Sequence, residues 1–424
     1  MISHFFQVLR GNVDRFVQYT TDIIYDHGKK TTGTKVYTVL LKALSLVYGL
    51  AVKTRFALYN GRVLKRKPVG SITIVIGNLT VGGTGKTPIT EKMARTLSER
   101  GRKVAILSRG YKSRTAPLWV RLWRKYILWE APRHRVVSDG KRLLLESDEA
   151  GDEPYMLARN LLPHHVVVIV GSDRAASCVH AQEEYHCDTI LLDDGMQYLT
   201  LEGSYNLLLV DKTNPFGNGS LLPRGILREP ISNLSRGDYI FLTKSTGTRS
   251  RKLEAFIRRY NPYAEIIECS HRPKLLSSLD GKTTHPLSFL EGRCVAIFSG
   301  IATPQLFEDF VYACHCQVSH KKRFLDHHRF TEEELVDVFD EAAEKEAELV
   351  ITTEKDAVRI DPKREWRLPL YYLRLEVDIL SDQETFECAI ARLCLGEFGQ
   401  RRFREQHALT PIQTAKGQNR SFPN

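Results

Sequence analysis

An α/β fold, with a mostly parallel sheet covered by helices on both faces, is what this 424-residue sequence predicts, and three features predict it. Short apolar runs recur along the chain with helical stretches between several of them, as expected of strands buried on both faces. A glycine-rich, lysine-bearing loop, Ile76–Pro88, stands between one apolar strand and a helix. Polar and charged residues follow many of the runs, which gathers them at the carboxyl edge of the sheet, where such folds bind ligands.

The first element is an apolar helix. From Val36 to Val52 the chain carries Val39, Leu40, Leu41, Leu44, Leu46, Val47 and Leu50, with Lys42 interrupting and Lys53 and Arg55 closing it. That falls short of the roughly 20 uninterrupted residues of a spanning helix. An interfacial helix is favoured, because Arg62, Lys65, Arg66 and Lys67 follow at once and suit anionic headgroups. A core helix with a solvated basic flank is the alternative, since amphipathic helices usually pack inward. The first residues lack a charged segment followed by a long apolar core and cleavage site, so no exported precursor is expected and the active part is expected to face the cytoplasm.

The loop comes next. Ile72, Ile74, Val75 and Ile76 supply its strand, and Pro88 opens a helix whose apolar positions Ile89, Met93 and Leu97 run to a stop at Gly101. Along Thr80, Val81, Gly82, Gly83, Thr84 and Gly85, backbone N–H groups can converge on phosphate oxygens, and the helix N-terminus adds partial positive charge. Lys86 then reaches the β- and γ-phosphates while the Thr87 hydroxyl holds Mg²⁺. The pattern is G-x-x-x-x-G-K-T with Thr80 in place of the first glycine, and it predicts a P-loop NTPase-like fold that binds a nucleoside triphosphate.

Beyond the loop the apolar runs are Lys103–Leu107, Val166–Val170, Thr189–Leu192, Asn206–Val210, Tyr239–Leu242, Val295–Phe298 and Leu349–Ile351. Chemically loaded residues follow many of them: Ser108-Arg109-Gly110, Ser172-Asp173-Arg174, Asp193-Asp194, Asp211, Thr243-Lys244 and Thr353-Glu354-Lys355-Asp356. Between Arg114 and Arg135, Trp119, Trp123 and Trp129 stand among basic residues, which suits either a headgroup-level surface or lid, or a packed surface element. From Gly399 onward the chain is polar and basic without an apolar period and reads as a disordered tail. Strand spacing loosens from Arg249 to Pro286. The expected division is therefore an N-terminal membrane-associated helical region over residues 1–67, a P-loop core over 68–250, a smaller C-terminal α/β lobe over 251–398 that completes the site, and a tail over 399–424.

Composition narrows the partners. A balance of 61 basic against 50 acidic residues gives +11, which suits nucleic acid, an anionic membrane surface or a polyanionic substrate. No ordered aromatic-and-basic RNA motif accompanies the charge, so nucleic acid is not expected. Eight cysteines are scattered without C-x-x-C pairs, and Cys314-His315-Cys316 is too tight to present separate metal ligands, so reduced thiols are expected, without disulfides or zinc.

The chemistry follows from the runs. Asp193-Asp194 after Ile190-Leu191-Leu192 is the strand-then-acid arrangement that holds Mg²⁺ in a P-loop enzyme. Thr243-Lys244-Ser245-Thr246 lacks the aspartate that would read a guanine edge, so adenine is favoured and ATP is the expected nucleotide. Asp326-His327-His328 and the acidic run Asp148–Glu153 offer a base for an acceptor hydroxyl. A kinase needs such a base, whereas an ATPase acting as a conformational switch needs a water-positioning residue and a protein partner.

Ten ordered motifs then carry a family resemblance: GNLTVGGTGKTP, SRGY at Ser108, AGDEP at Ala150, SDR at Ser172, DDGMQ at Asp193, FGNG at Phe216, LLPRGILREP at Leu221, FSGIATP at Phe298, DHHRF at Asp326 and TTEKDAVR at Thr352. Together they strongly resemble the tetraacyldisaccharide 4′-kinases, the lipid A 4′-kinases of Gram-negative bacteria, over roughly Lys35 to Arg392. The resemblance implies transfer of the ATP γ-phosphate to the 4′-hydroxyl of a tetraacyldisaccharide 1-phosphate at the cytoplasmic face of the inner membrane, by a peripheral or monotopic protein with no obligate protein partner. It implies that Asp152 and His327 form the acid–base pair, that Lys86 and Thr87 keep their loop roles, and that Asp193 and Asp194 bind or position Mg²⁺. Arg109, Arg174 and Arg228 are the implied phosphate-neutralising arginines, with Glu229 a further polar contact to the nucleotide. Met196 and Tyr198 stand where the family usually has Phe and His, and Ile226 where a second proline is common.

Overall fold

Every apolar run read as a strand is a strand in the computed structural model, which describes residues 19–25, 31–67, 69–110, 134–380 and 383–395. The strands are β1 (Ile72–Asn78), β2 (Val104–Ser108), β3 (Arg135–Asp139), β4 (Val167–Val170), β5 (Thr189–Leu192), β6 (Tyr205–Asp211) and β7 (Tyr239–Thr243), followed by β8 (Glu265–Ser278), β9 (Thr284–Pro286), β10 (Cys294–Ser299), β11 (Gln317–Arg323), β12 (Leu349–Thr353) and β13 (Leu370–Ile379). They form one 13-stranded sheet in the order β11-β10-β12-β13-β8-β7-β6-β1-β5-β2-β4-β3, with β9 paired to β8. Pairing is parallel except where β3 meets β4, β8 meets β13 and β9 meets β8.

The central strands are apolar on both faces because both faces are covered. Ile74 and Ile76 of β1 pack with Ile89, Met93 and Leu97 of the loop helix on one side, while Val75 packs with Ala175, Cys178 and Leu253 on the other. A second pair of cores covers the two faces of β10 and β12, around Phe298 and Phe339 on one side and Ile297 and Phe307 on the other. One strand joins the two regions. The first residues of β8 pair with β7 in parallel, Tyr239 opposite Glu265 through Leu242 opposite Glu268, and its remainder runs antiparallel to β13 from Cys269 to Ser278.

The helix ahead of β1 spans Thr32–Asn60, opened by a capping box in which the Thr31 hydroxyl accepts from the Thr34 N–H. It extends beyond the apolar stretch read from the sequence to 29 residues, and with a mean hydropathy of 1.5 over an 18-residue stretch within it the helix is long and apolar enough to cross a membrane. Its packed stripe is narrow and small: Leu41, Ser45 and Gly49 are buried, and a Cβ at Gly49 would come within 2.8 Å of Leu221 Cδ1. Val36, Val39, Leu46, Val47 and Leu50 face outward, each more than 60% exposed. The apolar face therefore does not pack inward, and the core-helix alternative falls. Hydrogen bonds from Ser45 Oγ to the Leu221 carbonyl (2.8 Å), from Tyr48 Oη to the Arg228 carbonyl (2.9 Å) and from Arg55 to the Gln197 carbonyl (3.0 Å) tie this helix to the loops that carry the site. Most of the tryptophan-bearing segment, with all three of its tryptophans, and the tail lie outside the described residues.

Candidate active site

The loop between β1 and its helix, Lys86–Glu99, is built on the residues the sequence singles out. The helix begins at Lys86, two residues before the start expected at Pro88; Pro88 sits in the first turn, where its missing N–H is not needed. Gly85 caps the helix with φ 79°, a left-handed conformation that glycine adopts without strain. At Gly82 and Gly83 an added Cβ would meet nothing within 4 Å, so there is open space beside the loop backbone there. Thr80 supports the strand end by accepting from Asn78 Nδ2 at 3.1 Å, and the Val81 N–H donates to the Ile226 carbonyl. The Thr84 carbonyl accepts from Thr243 Oγ1 at the end of β7 (2.9 Å), and Thr87 is buried in the first helical turn.

Lys86 donates to Asn78 Oδ1 at 3.2 Å and lies 3.7 Å from Asp194 Oδ1. The two adjacent aspartates after β5 occupy opposite electrostatic settings. Asp193 is buried between the Thr90 and Ser108 hydroxyls, each 3.3 Å away, and burial first, then the Glu153 and Asp194 charges, push its carboxyl up to about 6. For Asp194 burial pulls upward, but Lys86 and Arg228 hold it below its ordinary value. Arg228 Nη1 donates to both Asp194 oxygens at 3.0 and 3.1 Å, and Arg174, buried over the Tyr198 ring, donates to the Asp194 carbonyl. Among the described residues no three His, Cys, Asp or Glu side chains form a cage for a metal. One or two carboxylates beside a helix-borne hydroxyl nevertheless fit Mg²⁺, which takes its remaining ligands from phosphate and water.

Asp152 and His327 are 175 positions apart and meet: His327 Nδ1 lies 3.2 Å from Asp152 Oδ2. Asp152 opens the helix Asp152–Leu161, whose cap Gly151 has φ 91°. His327 sits at φ 61° with its N–H donating to the Gly300 carbonyl after β10. Lys355 Nζ lies 3.2 Å from His327 Nε2 and 3.2 Å from Glu153 Oε1. Glu153, which also bears on Asp193, thus links the pair to the loop side of the site. Burial acts to raise the Asp152 carboxyl, but the hydrogen bond with His327 and the Arg359 and Arg329 guanidiniums hold it below its ordinary value. It stays ionised at neutral pH.

Several residues that position this site gain no role from the local sequence, although Arg359, Asp356 and Glu354 lie within the TTEKDAVR motif. The Arg359 side chain, 0% exposed, donates to Asp152 Oδ2 (3.0 Å) and to Asp356 Oδ1 (2.8 Å), while Asp356 Oδ2 accepts from the Gly300 N–H and the Thr353 hydroxyl. A buried network of Glu91, Asn160, Glu354 and Arg374 joins the loop helix, the Asp152 helix and β13, with Arg374 donating to Glu91 at 2.6 Å and to Glu354 at 2.8 Å. Replacing Arg359 by methionine removes the one cation that the two buried carboxylates share and is expected to lower stability by about 3–5 kcal/mol in urea denaturation; a loss below about 1 kcal/mol would show that the guanidinium is not the strut between them.

The remaining predicted residues are spread around the centre. Arg109 is exposed at the end of β2. Glu229 is buried, and its oxygens accept from Gln197 (3.0 Å), Asn233 (2.7 Å) and Arg236 (2.6 Å), so its contacts here brace the loop behind Arg228. Gln197 in turn accepts from Arg228.

Residues 37–394 match the family model described as LpxK, Tetraacyldisaccharide-1-P 4′-kinase. A tetraacyldisaccharide 4′-kinase of Anaeromyxobacter dehalogenans strain 2CP-C is 39% identical over 347 residues, covering 80% of this chain and 86% of that protein. A protein of the same name from Geobacter metallireducens is 35% identical over 359 residues, covering 85% of this chain and 99% of its own. The crystal structure of LpxK from Aquifex aeolicus in complex with ATP is similar with a TM-score of 0.64 at 26% identity, covering 84% of this chain and 99% of that one.

Proposed function

This chain belongs to the tetraacyldisaccharide-1-P 4′-kinase family, and from that premise we propose how its residues carry out the reaction. It is an ATP-dependent kinase of lipid A biosynthesis that transfers the γ-phosphate to the 4′-hydroxyl of a tetraacyldisaccharide 1-phosphate. The observation that carries the mechanism is the meeting of Asp152 with His327, linked through Lys355 and Glu153 to the carboxylates beside Lys86.

The loop N–H groups and Lys86 bind the β- and γ-phosphates, and Arg174 and Arg228 add positive charge beside Asp194. Mg²⁺, when bound, neutralises charge on the phosphates, and Thr87, Asp193 and Asp194 are the groups that would hold it. Asp152, ionised, orients His327 through Nδ1, which leaves Nε2 with the lone pair that takes the proton of the 4′-hydroxyl. In the resting arrangement Lys355 faces that lone pair, and the acceptor hydroxyl takes its place while Glu153 retains the ammonium. The sugar oxygen forms its bond to the γ-phosphorus as the bond to the ADP oxygen breaks, and the proton passes to His327. Incubating the protein with ATP, Mg²⁺ and tetraacyldisaccharide 1-phosphate in micelles should give a lipid heavier by one phosphate, with ³¹P couplings that place it on the 4′-oxygen. Release of free phosphate without lipid product would favour the ATPase switch instead.

The apolar N-terminal helix indicates membrane association. Its outward face is proposed to enter an anionic bilayer at the cytoplasmic face, with Arg62, Lys65 and Lys67, all exposed, at headgroup level. Each buried leucine contributes about 1.5–3 kcal/mol. Leu46→Glu with Leu50→Glu is therefore expected to cut partitioning onto phosphatidylglycerol vesicles by at least roughly 100-fold, while turnover in micelles is kept. Unchanged co-sedimentation would rule out this face.

A further inference from the structure

From its place against the last glycine of the loop, we infer that His271 is a contact for the phosphate chain of the nucleotide, with its ring Nε2 as the donor. The inference rests on ATP binding at the loop. His271 lies on β8 just past the end of the pairing with β7, opposite Val377 of β13, so a paired strand and not a loop sets the ring. A Cβ at Gly85 would overlap its Cε1 and come within 2.5 Å of its Nε2, so the ring and Gly85 fit together only because that residue is glycine.

His271 is 9% exposed, and its ring Nε2 is buried beside the Gly85 backbone with no well-aligned hydrogen-bond partner among the described residues. The neighbouring Thr84 Oγ1 is buried in the same condition. Buried polar atoms nearly always have partners, so two such atoms beside the loop point to a ligand rich in acceptor oxygens. Burial first, then the Lys244 ammonium, push the His271 pKa down to about 4, against the hydrogen-bonding pull of the Gly85 backbone and the Asp211 charge. The ring is thus neutral at pH 7 and carries one N–H. A neutral donor avoids the cost of a buried unpaired cation, and its hydrogen bond to an ionised phosphate oxygen is stronger than one between neutral groups.

Calorimetric titration of the full chain with ATP and with AMP, which lacks the β- and γ-phosphates, tests this. His271→Phe keeps a ring but loses the N–H, and is expected to raise the Kd for ATP roughly 10- to 100-fold while AMP binding stays near wild type. His271→Gln, which returns an N–H to the end of the side chain, should recover most of the loss. Equal weakening of ATP and AMP, or none, would overturn the inference. A measurement free of any folding defect is the ¹⁵N resonance of His271 Nε2 in the wild type, expected to shift with ADP and not with AMP; an unmoved resonance would also overturn it. Failure of the wild type to bind ATP at all would overturn the reading of the loop itself.

Discussion

Lys86→Ala is expected to lower phosphoryl transfer by at least about 10²–10³-fold with the fold retained. The ammonium is the cation that the loop places closest to its helix N-terminus, poised between Asn78 and Asp194. Charge on the transferring phosphoryl group is stabilised by such preorganised cations, and alanine leaves nothing in that place. The fold should survive, because Asp194 keeps both contacts from Arg228 and the carbonyl contact from Arg174. An unchanged melting temperature with lost transfer is the expected pairing of results. Near-normal kcat in a folded Lys86→Ala protein would remove the loop from the chemistry.

His327→Ala is expected to reduce kcat by roughly 10²–10⁴-fold, the usual worth of a positioned general base, with little effect on the KM for ATP. Nδ1 lies 3.2 Å from the Asp152 carboxylate with an Arg359 nitrogen at 3.4 Å, and Nε2 lies 3.2 Å from the Lys355 ammonium with Asp326 Oδ2 at 3.9 Å. In the proposed mechanism Nδ1 donates to Asp152, which presents the Nε2 lone pair to the acceptor hydroxyl. A rise in KM for the lipid without loss of kcat would instead make His327 a positioning group.

How much of the fold and of the site is legible in the sequence comes down to distance along the chain. The loop, the aspartates after β5 and the apolar central strands are local patterns in which burial on both faces or phosphate binding dictates neighbouring residues. Of the strands that the apolar pattern does not mark, β9 is only three residues long, and β3, β8, β11 and β13 carry charged residues: β11 lies at the sheet edge and is Gln-Val-Ser-His-Lys-Lys-Arg, and the middle of β8 alternates between exposed and less exposed positions. Such strands need no unbroken apolar run. The Asp152–His327 contact is implied by the family resemblance alone, since no local pattern joins residues 175 apart. Arg359 and Lys355 lie inside the TTEKDAVR motif, but their roles depend on which carboxylate and which ring nitrogen the fold brings to them. The Glu91–Arg374 contact, 283 positions apart, leaves no signal in the sequence at all.

The central claim is that the paired Asp152 and His327 take the acceptor proton while the loop holds ATP. Rapid-quench single turnover with γ-labelled ATP and tetraacyldisaccharide 1-phosphate, comparing wild type with Asp152→Asn at saturating ATP, tests it most directly. Asparagine keeps the size of the side chain but cannot carry the charge that orients and stabilises the imidazole. The expected result is a transfer rate lower by roughly 10²–10⁴-fold with ATP bound as tightly as before; the same transfer rate in both proteins would contradict it.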